Sequence, residues 1–187
     1  MRCGVVKYRF GRSATSDRDG RVGQRNRGGY DRIMDAAPVH VRFIRAREES
    51  LAAINELIAR SKAHWNWPDG YLDKALPLHR IDAGYLRGNH SFEALDASDK
   101  LIAFVSVVVS EGKVVLDNLW VTPESIGGGV GRQACEYVFQ VAREEGWTEL
   151  WVLPDPPAAG FYLKVGFSDT GERVLSRVSA LPQVRSY

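Results

Sequence analysis

The stretch Gly127-Gly128-Gly129-Val130-Gly131-Arg132 constrains this chain more than any other. It stands between a strand-like run at residues 114–121 and a helix-like run from about residue 131 to 145. A second strand candidate, 148–153, follows, and a strand–helix–strand crossover makes the two strands parallel. Glycine weakens helices and strands alike, so four glycines in five positions are not there for packing. They let backbone N–H groups close on an anion at a helix N-terminus, where unbonded donors and the positive dipole end already point outward. The loop is therefore expected to cradle a phosphorylated ligand.

The rest of the pattern supplies a sheet for that loop. Residues 40–44 form a short strand candidate, and Leu51, Ile54, Leu57 and Ile58 line one face of a helix beginning near Glu48. Trp65 to Gly70 is a turn, with Asp69 placed to cap a second helix that Pro77 ends or bends. Residues 81–89 are expected to be irregular. Strands at 91–95, 101–109 and 114–121 then form an antiparallel meander, joined by Asp96–Asp99 and by Glu111-Gly112. The second of these is almost wholly apolar and should be covered on both faces. After the crossover come Pro154, Pro156 and Pro157, a short helix at 158–164, and terminal strands near 172–178 and 181–186. The expected fold class is α+β, a mixed α/β domain over residues 38–187.

Charge is unevenly spread. Residues 1–33 hold nine basic and three acidic side chains, so of the 25 and 23 in the whole chain, 16 basic and 20 acidic remain. The basic balance belongs to the first segment, and the remainder is net negative. With its scattered glycines, the segment 1–37 is expected to be a disordered basic tail. Met34 is an alternative start that would remove most of it. The Arg/Gly piece 24–30 is too short and too mixed in sign for a nucleic-acid arm to be favoured. No apolar run approaches a membrane span. Two cysteines, Cys3 and Cys135, support neither a disulfide framework nor a metal–thiolate site, and a cytoplasmic location with no metal is the expectation.

A P-loop is excluded, because no Gly-Lys-Ser/Thr occurs. The dinucleotide fingerprint of an NAD(P)-binding oxidoreductase is a rival, since residues 129–134 satisfy G-x-G-x-x-A and Glu149 lies where an acidic ribose contact is sought. Against it, five residues separate the strand from the first glycine, Glu149 starts its strand instead of ending it, and the preceding meander is antiparallel.

Two motifs decide between these. Leu119-Trp120-Val121-Thr122-Pro123 followed by Ile126-Gly127-Gly128-Gly129-Val130-Gly131-Arg132 resembles the pyrophosphate-binding segment of the GNAT superfamily of acetyl-CoA-dependent N-acetyltransferases, R/Q-x-x-G-x-G/A after a strand ending V-x-P. About 30 residues on, residues 158–167 resemble the family's A-x-x-F-Y-x-x-x-G-F. Ile126 departs from the pattern, standing where the family has Arg or Gln.

The resemblance implies a three-layer fold: a central mixed sheet of six to seven strands with a splayed central pair, and helices on both faces. It implies acetyl-CoA as co-substrate, with main-chain groups of Leu119 and Val121 along the pantetheine arm. The segment Gly127, Gly128, Gly129, Val130, Gly131 and Arg132 would hold the pyrophosphate, Arg132 adding charge or remaining a solvated helix residue. Tyr162 matches the tyrosine that protonates the departing thiolate in many relatives. A neutral phenol of pKa ~10 suits that task against a thiol of ~8.5.

Asp117 is the candidate base, acting through a water, or a structural acceptor. Strand alternation places it with Leu119 and Val121, opposite Asn118 and Trp120. Trp65, Trp67, Asp69 and Trp120 would wall the acceptor site, where aromatics and an acid suit a cationic amine, or pack as core residues. The acceptor is expected to be a primary amine of a small molecule or peptide, and a homodimer is compatible with the resemblance. A non-catalytic acyl-CoA sensor is the alternative.

Overall fold

The computed structural model of the chain describes residues 2–10 and 40–175. Its sheet has seven strands: β1 (Arg2–Arg9), β2 (Arg42–Arg45), β3 (His90–Leu95), β4 (Leu101–Ser110), β5 (Lys113–Val121), β6 (Glu149–Val152) and β7 (Ser168–Leu175). Their order is β2-β3-β4-β5-β6-β1-β7. Five α-helices accompany them: α1 (Leu51–Ala63), α2 (Tyr71–Leu78), α3 (Ala83–Gly88), α4 (Val130–Glu144) and α5 (Ala159–Lys164).

The expected meander is present, and each of its strand pairs is antiparallel. Glu111 (φ 51°) and Gly112 (φ 74°) turn the β4–β5 hairpin, both left-handed as the twist of a two-residue connection requires. β4 is buried from Ile102 to Val107 because helices cover both its faces. Val105 and Val107 join Leu116, Val138, Leu150 and Tyr162 in the cluster that α4 and α5 press onto the sheet. Phe104 faces the other way, to Ile54, Leu57 and Ile58 of α1 and Leu86 of α3. The expected α+β, three-layer architecture is therefore the observed one.

β5 and β6 run parallel but are paired at one position, Val115↔Trp151. From there toward Val121 and Val152 no further pairing joins them, and the sheet opens. That opening sets the functional site.

Three expectations need correction. The first segment is not a disordered tail throughout. Arg2–Arg9 is β1, inserted antiparallel between β6 and β7 with Val6 opposite Val152 and Cys3 opposite Val174. Cys3 and Val6 are both buried. Its pairing with β7 shifts register between Gly4 and Val6. A chain starting at Met34 would leave β6 and β7 without the strand that joins them. Residues 11–39, and the terminal strand expected at 181–186, lie outside the described residues.

Second, residues 83–88 are helical, not irregular. The Asp82 carboxylate accepts from the Tyr85 N–H at 2.7 Å and starts α3. Third, Asp69 does not cap α2. The position belongs to Gly70 at φ 67°, left-handed backbone that favours glycine.

Candidate active site

The site is a cavity of about 530 Å³ in the opening between β5 and β6. One wall is the end of β5 (Leu116, Asp117, Leu119, Trp120, Val121); the other is the chain leaving β6 (Val152 to Asp155) with Phe161 and Tyr162 of α5.

At one end lies the glycine loop. A short 3₁₀ turn, Pro123–Ser125, carries the chain away from β5. Gly127 (φ 86°) and Gly129 (φ 83°) then take left-handed conformations. Gly129 is the N-cap of α4, and no side-chain cap hydrogen bond closes that end. The first-turn amides of a fifteen-residue helix thus meet the cavity. Gly127, Gly129, Gly131 and Arg132 line it, with the Lys164 side chain at its edge.

Two predicted loop residues do not. The Gly128 N–H is spent on the Ser125 carbonyl at 3.2 Å. Val130 is fully buried against Ala94, Ile102 and Ala103, anchoring α4 to the sheet. Gly131 has a packing reason as well: a Cβ there would lie 3.2 Å from the Phe161 ring. An uncapped helix, two left-handed glycines, a close helix–ring approach and two cations fit a diphosphate. Ile126 lines the same end and adds no side-chain charge to it.

Tyr162 also lines the cavity and is otherwise enclosed, its ring edge-on to Phe161 and Phe167 at 5.1 and 5.4 Å. Burial, and then the nearby Cys135 and Asp155, push its hydroxyl well above the usual phenol range. It therefore stays protonated across the working pH range.

Asp117 reaches the cavity by a route that alternation misses. Ser106 pairs with Asn118, and Val107 pairs with Leu116, so Asp117 is the extra residue of a β-bulge. The bulge turns it away from the Leu119 side. Its Oδ2 accepts from the Tyr85 hydroxyl at 2.7 Å and from Asn118 Nδ2 at 3.1 Å, on the face that also carries Trp120. Ser106 Oγ, 2.8 Å from the Tyr85 hydroxyl, completes a network drawn from β4, β5 and α3. Sequence reasoning missed Tyr85, because a six-residue helix shows no periodicity.

The aromatic wall is arranged differently from the expectation. Trp65 and Trp120 line the cavity; Trp67 and Asp69 do not. Trp67 stacks on Tyr71 at 4.3 Å, and both face an internal cation. That cation is Lys62, a fully buried residue of α1. Its Nζ lies 5.0, 5.7 and 5.3 Å from the ring centroids of Trp67, Tyr71 and Trp120. It donates to Asp155 Oδ2 at 2.6 Å and sits 3.1 Å from His79 Nε2. Asp155 and His79 both line the cavity. Burial next to the Asp155 carboxylate pushes the Tyr71 hydroxyl up to about 12. No sequence signal marks this cage, because a lysine near a helix C-terminus reads as a solvated charge.

The rival reading of Glu149 fails on contacts. Its carboxylate is engaged by Arg9 at 2.9 Å and Lys7 at 3.4 Å across β1, and it does not line the cavity.

A mixed sheet opened between two parallel strands, with a glycine-capped helix at the opening, defines the acetyltransferase class of fold. The chain belongs to the acetyltransferase (GNAT) family, whose model matches residues 51–167. No curated protein matches it. Among solved structures, it is similar to the PaiA N-acetyltransferase of Thermoplasma acidophilum in complex with coenzyme A. That likeness has a TM-score of 0.61 at 17% identity, over 69% of this chain and 90% of the other. A GCN5-related N-acetyltransferase of Rhodopseudomonas palustris gives 0.60 at 19%, over 75% and 93%. An acetyltransferase of Trypanosoma brucei gives 0.52 at 15%, over 73% and 99%.

Proposed function

We propose that this acetyltransferase moves the acetyl group of acetyl-CoA onto a primary amine of a small molecule or an exposed peptide, by direct attack of the amine on the thioester. The observation that carries the proposal is the make-up of one cavity. At one end are main-chain donors and cations suited to a diphosphate; at the other, a protonated phenol and a hydrogen-bonded carboxylate face the same space.

Transfer needs a neutral amine, a held carbonyl, a stabilised oxyanion and a proton for the departing thiolate. The amides of Gly129, Gly131 and Arg132 would hold the pyrophosphate, and main-chain groups of Leu119 and Val121 the pantetheine arm. Asp117 would accept the ammonium proton directly or through a water. The amine nitrogen then bonds to the carbonyl carbon, the C–S bond breaks, Tyr162 supplies the thiolate with a proton, and the second proton lost by the nitrogen returns to the phenolate through solvent.

Calorimetry with acetyl-CoA and NADH tests the ligand. Binding of NADH without acetyl-CoA overturns the proposal. Release of free thiol over a panel of amines tests the reaction; acetyl-CoA binding with no release on any amine would leave a sensing module instead.

A further inference from the structure

The chemistry that best recognises an organic ammonium next to this cavity is already in use. Trp67, Tyr71 and Trp120 present ring faces, Asp155 a carboxylate and His79 a ring nitrogen, and all five meet at Lys62 Nζ. The ammonium is wholly removed from water, so these groups replace its hydration. The pair joins α1 to the segment after β6, residues 93 apart in sequence, across the acceptor end of the opening.

Charge bookkeeping around the cavity follows from this. Its lining carries two carboxylates, Asp117 and Asp155, and two cations, Arg132 and Lys164, the latter pair at the glycine-loop end and near α5. Lys62 neutralises Asp155 at 2.6 Å. The acceptor end is left with the single negative charge of Asp117, which is enough for the reacting ammonium alone. A second ammonium on the same acceptor would approach Lys62 with no carboxylate left to balance it and no ring face vacant in the cage.

We propose that Lys62 is a built-in occupant of the ammonium cage and acts as a specificity determinant, restricting acceptors to monoamines whose remaining part is uncharged or anionic and excluding diamines and polyamines. This rests on the acetyl-transfer reading for the identity of the pocket, but not for its test. Removing the Lys62 charge leaves Asp155, a carboxylate that lines the cavity, without its cation beside the cavity-lining Trp120 ring, the two elements a second ammonium needs.

The test is calorimetric titration of the full chain, saturated with CoA, with n-butylamine and with 1,4-diaminobutane at pH 8. The native protein is expected to bind the monoamine at least tenfold more tightly. Lys62→Met should cut that ratio tenfold or more, and Lys62→Arg, which keeps the charge, should retain it. Equal or tighter diamine binding by the native protein overturns the proposal, whatever the variants do. So does an unchanged ratio in folded Lys62→Met, or binding of neither amine. Should Lys62→Met fail to fold, the native ratio and Lys62→Arg still decide. Thiol release with either amine is scored separately. Its absence would refute acetyl transfer while leaving the binding ratio to judge Lys62.

Discussion

At the glycine-loop end of the cavity the candidate binding groups are chiefly main-chain amides, with Arg132 and Lys164 beside them. At the Trp120 end they are side chains drawn from α1, α2, α3, β5 and the segment after β6. The first end is one contiguous stretch whose conformation glycine alone permits, so its ligand is set locally. The second is assembled only when five elements dock, so its charged groups, Lys62, Asp155 and Asp117, are each held by a partner distant in sequence. Backbone cradles should therefore fail by obstruction, and side-chain clusters by loss of a partner.

The largest expected effect breaks the first end. Valine at Gly131 would put its Cβ 3.2 Å from the Phe161 ring and its methyls at the mouth of the α4 cradle. Acetyl-CoA affinity should fall on the order of a thousandfold, about 4 kcal/mol, by calorimetry. Retained tight binding would place the ligand elsewhere. Gly129→Val has open space for its side chain but a φ of 83°, so it adds about 1–2 kcal/mol of backbone strain to the same loss.

Next in size is a change at the second end. Asp155→Ala leaves the fully buried Lys62 ammonium with His79 and three rings but no carboxylate. Unfolding in urea should show a loss of about 2–3 kcal/mol, with acetyl-CoA affinity changed less than about threefold. A stability loss near zero would mean that the rings alone hold the charge.

Tyr162→Phe joins the two ends, since in the proposed reaction the hydroxyl serves the chemistry and not the cradle. We expect kcat to fall on the order of tenfold or more with acetyl-CoA binding nearly unchanged. Unchanged turnover removes Tyr162 from the mechanism. The sign of its shift also predicts a pH profile. A proton donor whose pKa is raised above 10 loses its proton only beyond that pH, so turnover should show no alkaline decline below about pH 10 from this group. A fall near pH 8 would assign the donor elsewhere.

The same contrast explains what could be read before any coordinates. Gly127, Gly129 and Gly131, which line the cavity, stood out because a backbone loop leaves its mark as residue type at fixed spacing. Val130 was misplaced only because its neighbours' role was extended to it; a buried valine at the start of a helix packs inward. Asp117 was assigned to the cavity but to the wrong face, since one bulge shifts the period-two pattern and leaves no trace in composition. Lys62 was invisible, because nothing on α1 says that Asp155 will stand beside it. β1 was hidden among glycines and arginines, its buried residues Cys3 and Val6 lying three apart and so giving no period-two apolar pattern.

The smallest effect probes the best-defined contact of the side-chain end. The Tyr85 phenol is pushed well above its ordinary range, first by burial and then by the Asp117 charge, so it remains a donor throughout the working pH range. It donates to Asp117 Oδ2 at 2.7 Å and so fixes the carboxylate in place. Tyr85→Phe removes that donor while Asn118 Nδ2 stays at 3.1 Å. One net hydrogen bond is worth about 1 kcal/mol, so, where Asp117 takes the amine proton, kcat/KM should fall on the order of fivefold with acetyl-CoA affinity and the urea unfolding midpoint nearly unchanged. A purely structural Tyr85 would lower the midpoint and leave kcat/KM of the folded protein in place. Unchanged kcat/KM would therefore return Asp117 to the role of hydrogen-bond acceptor, with water chains left to carry the proton.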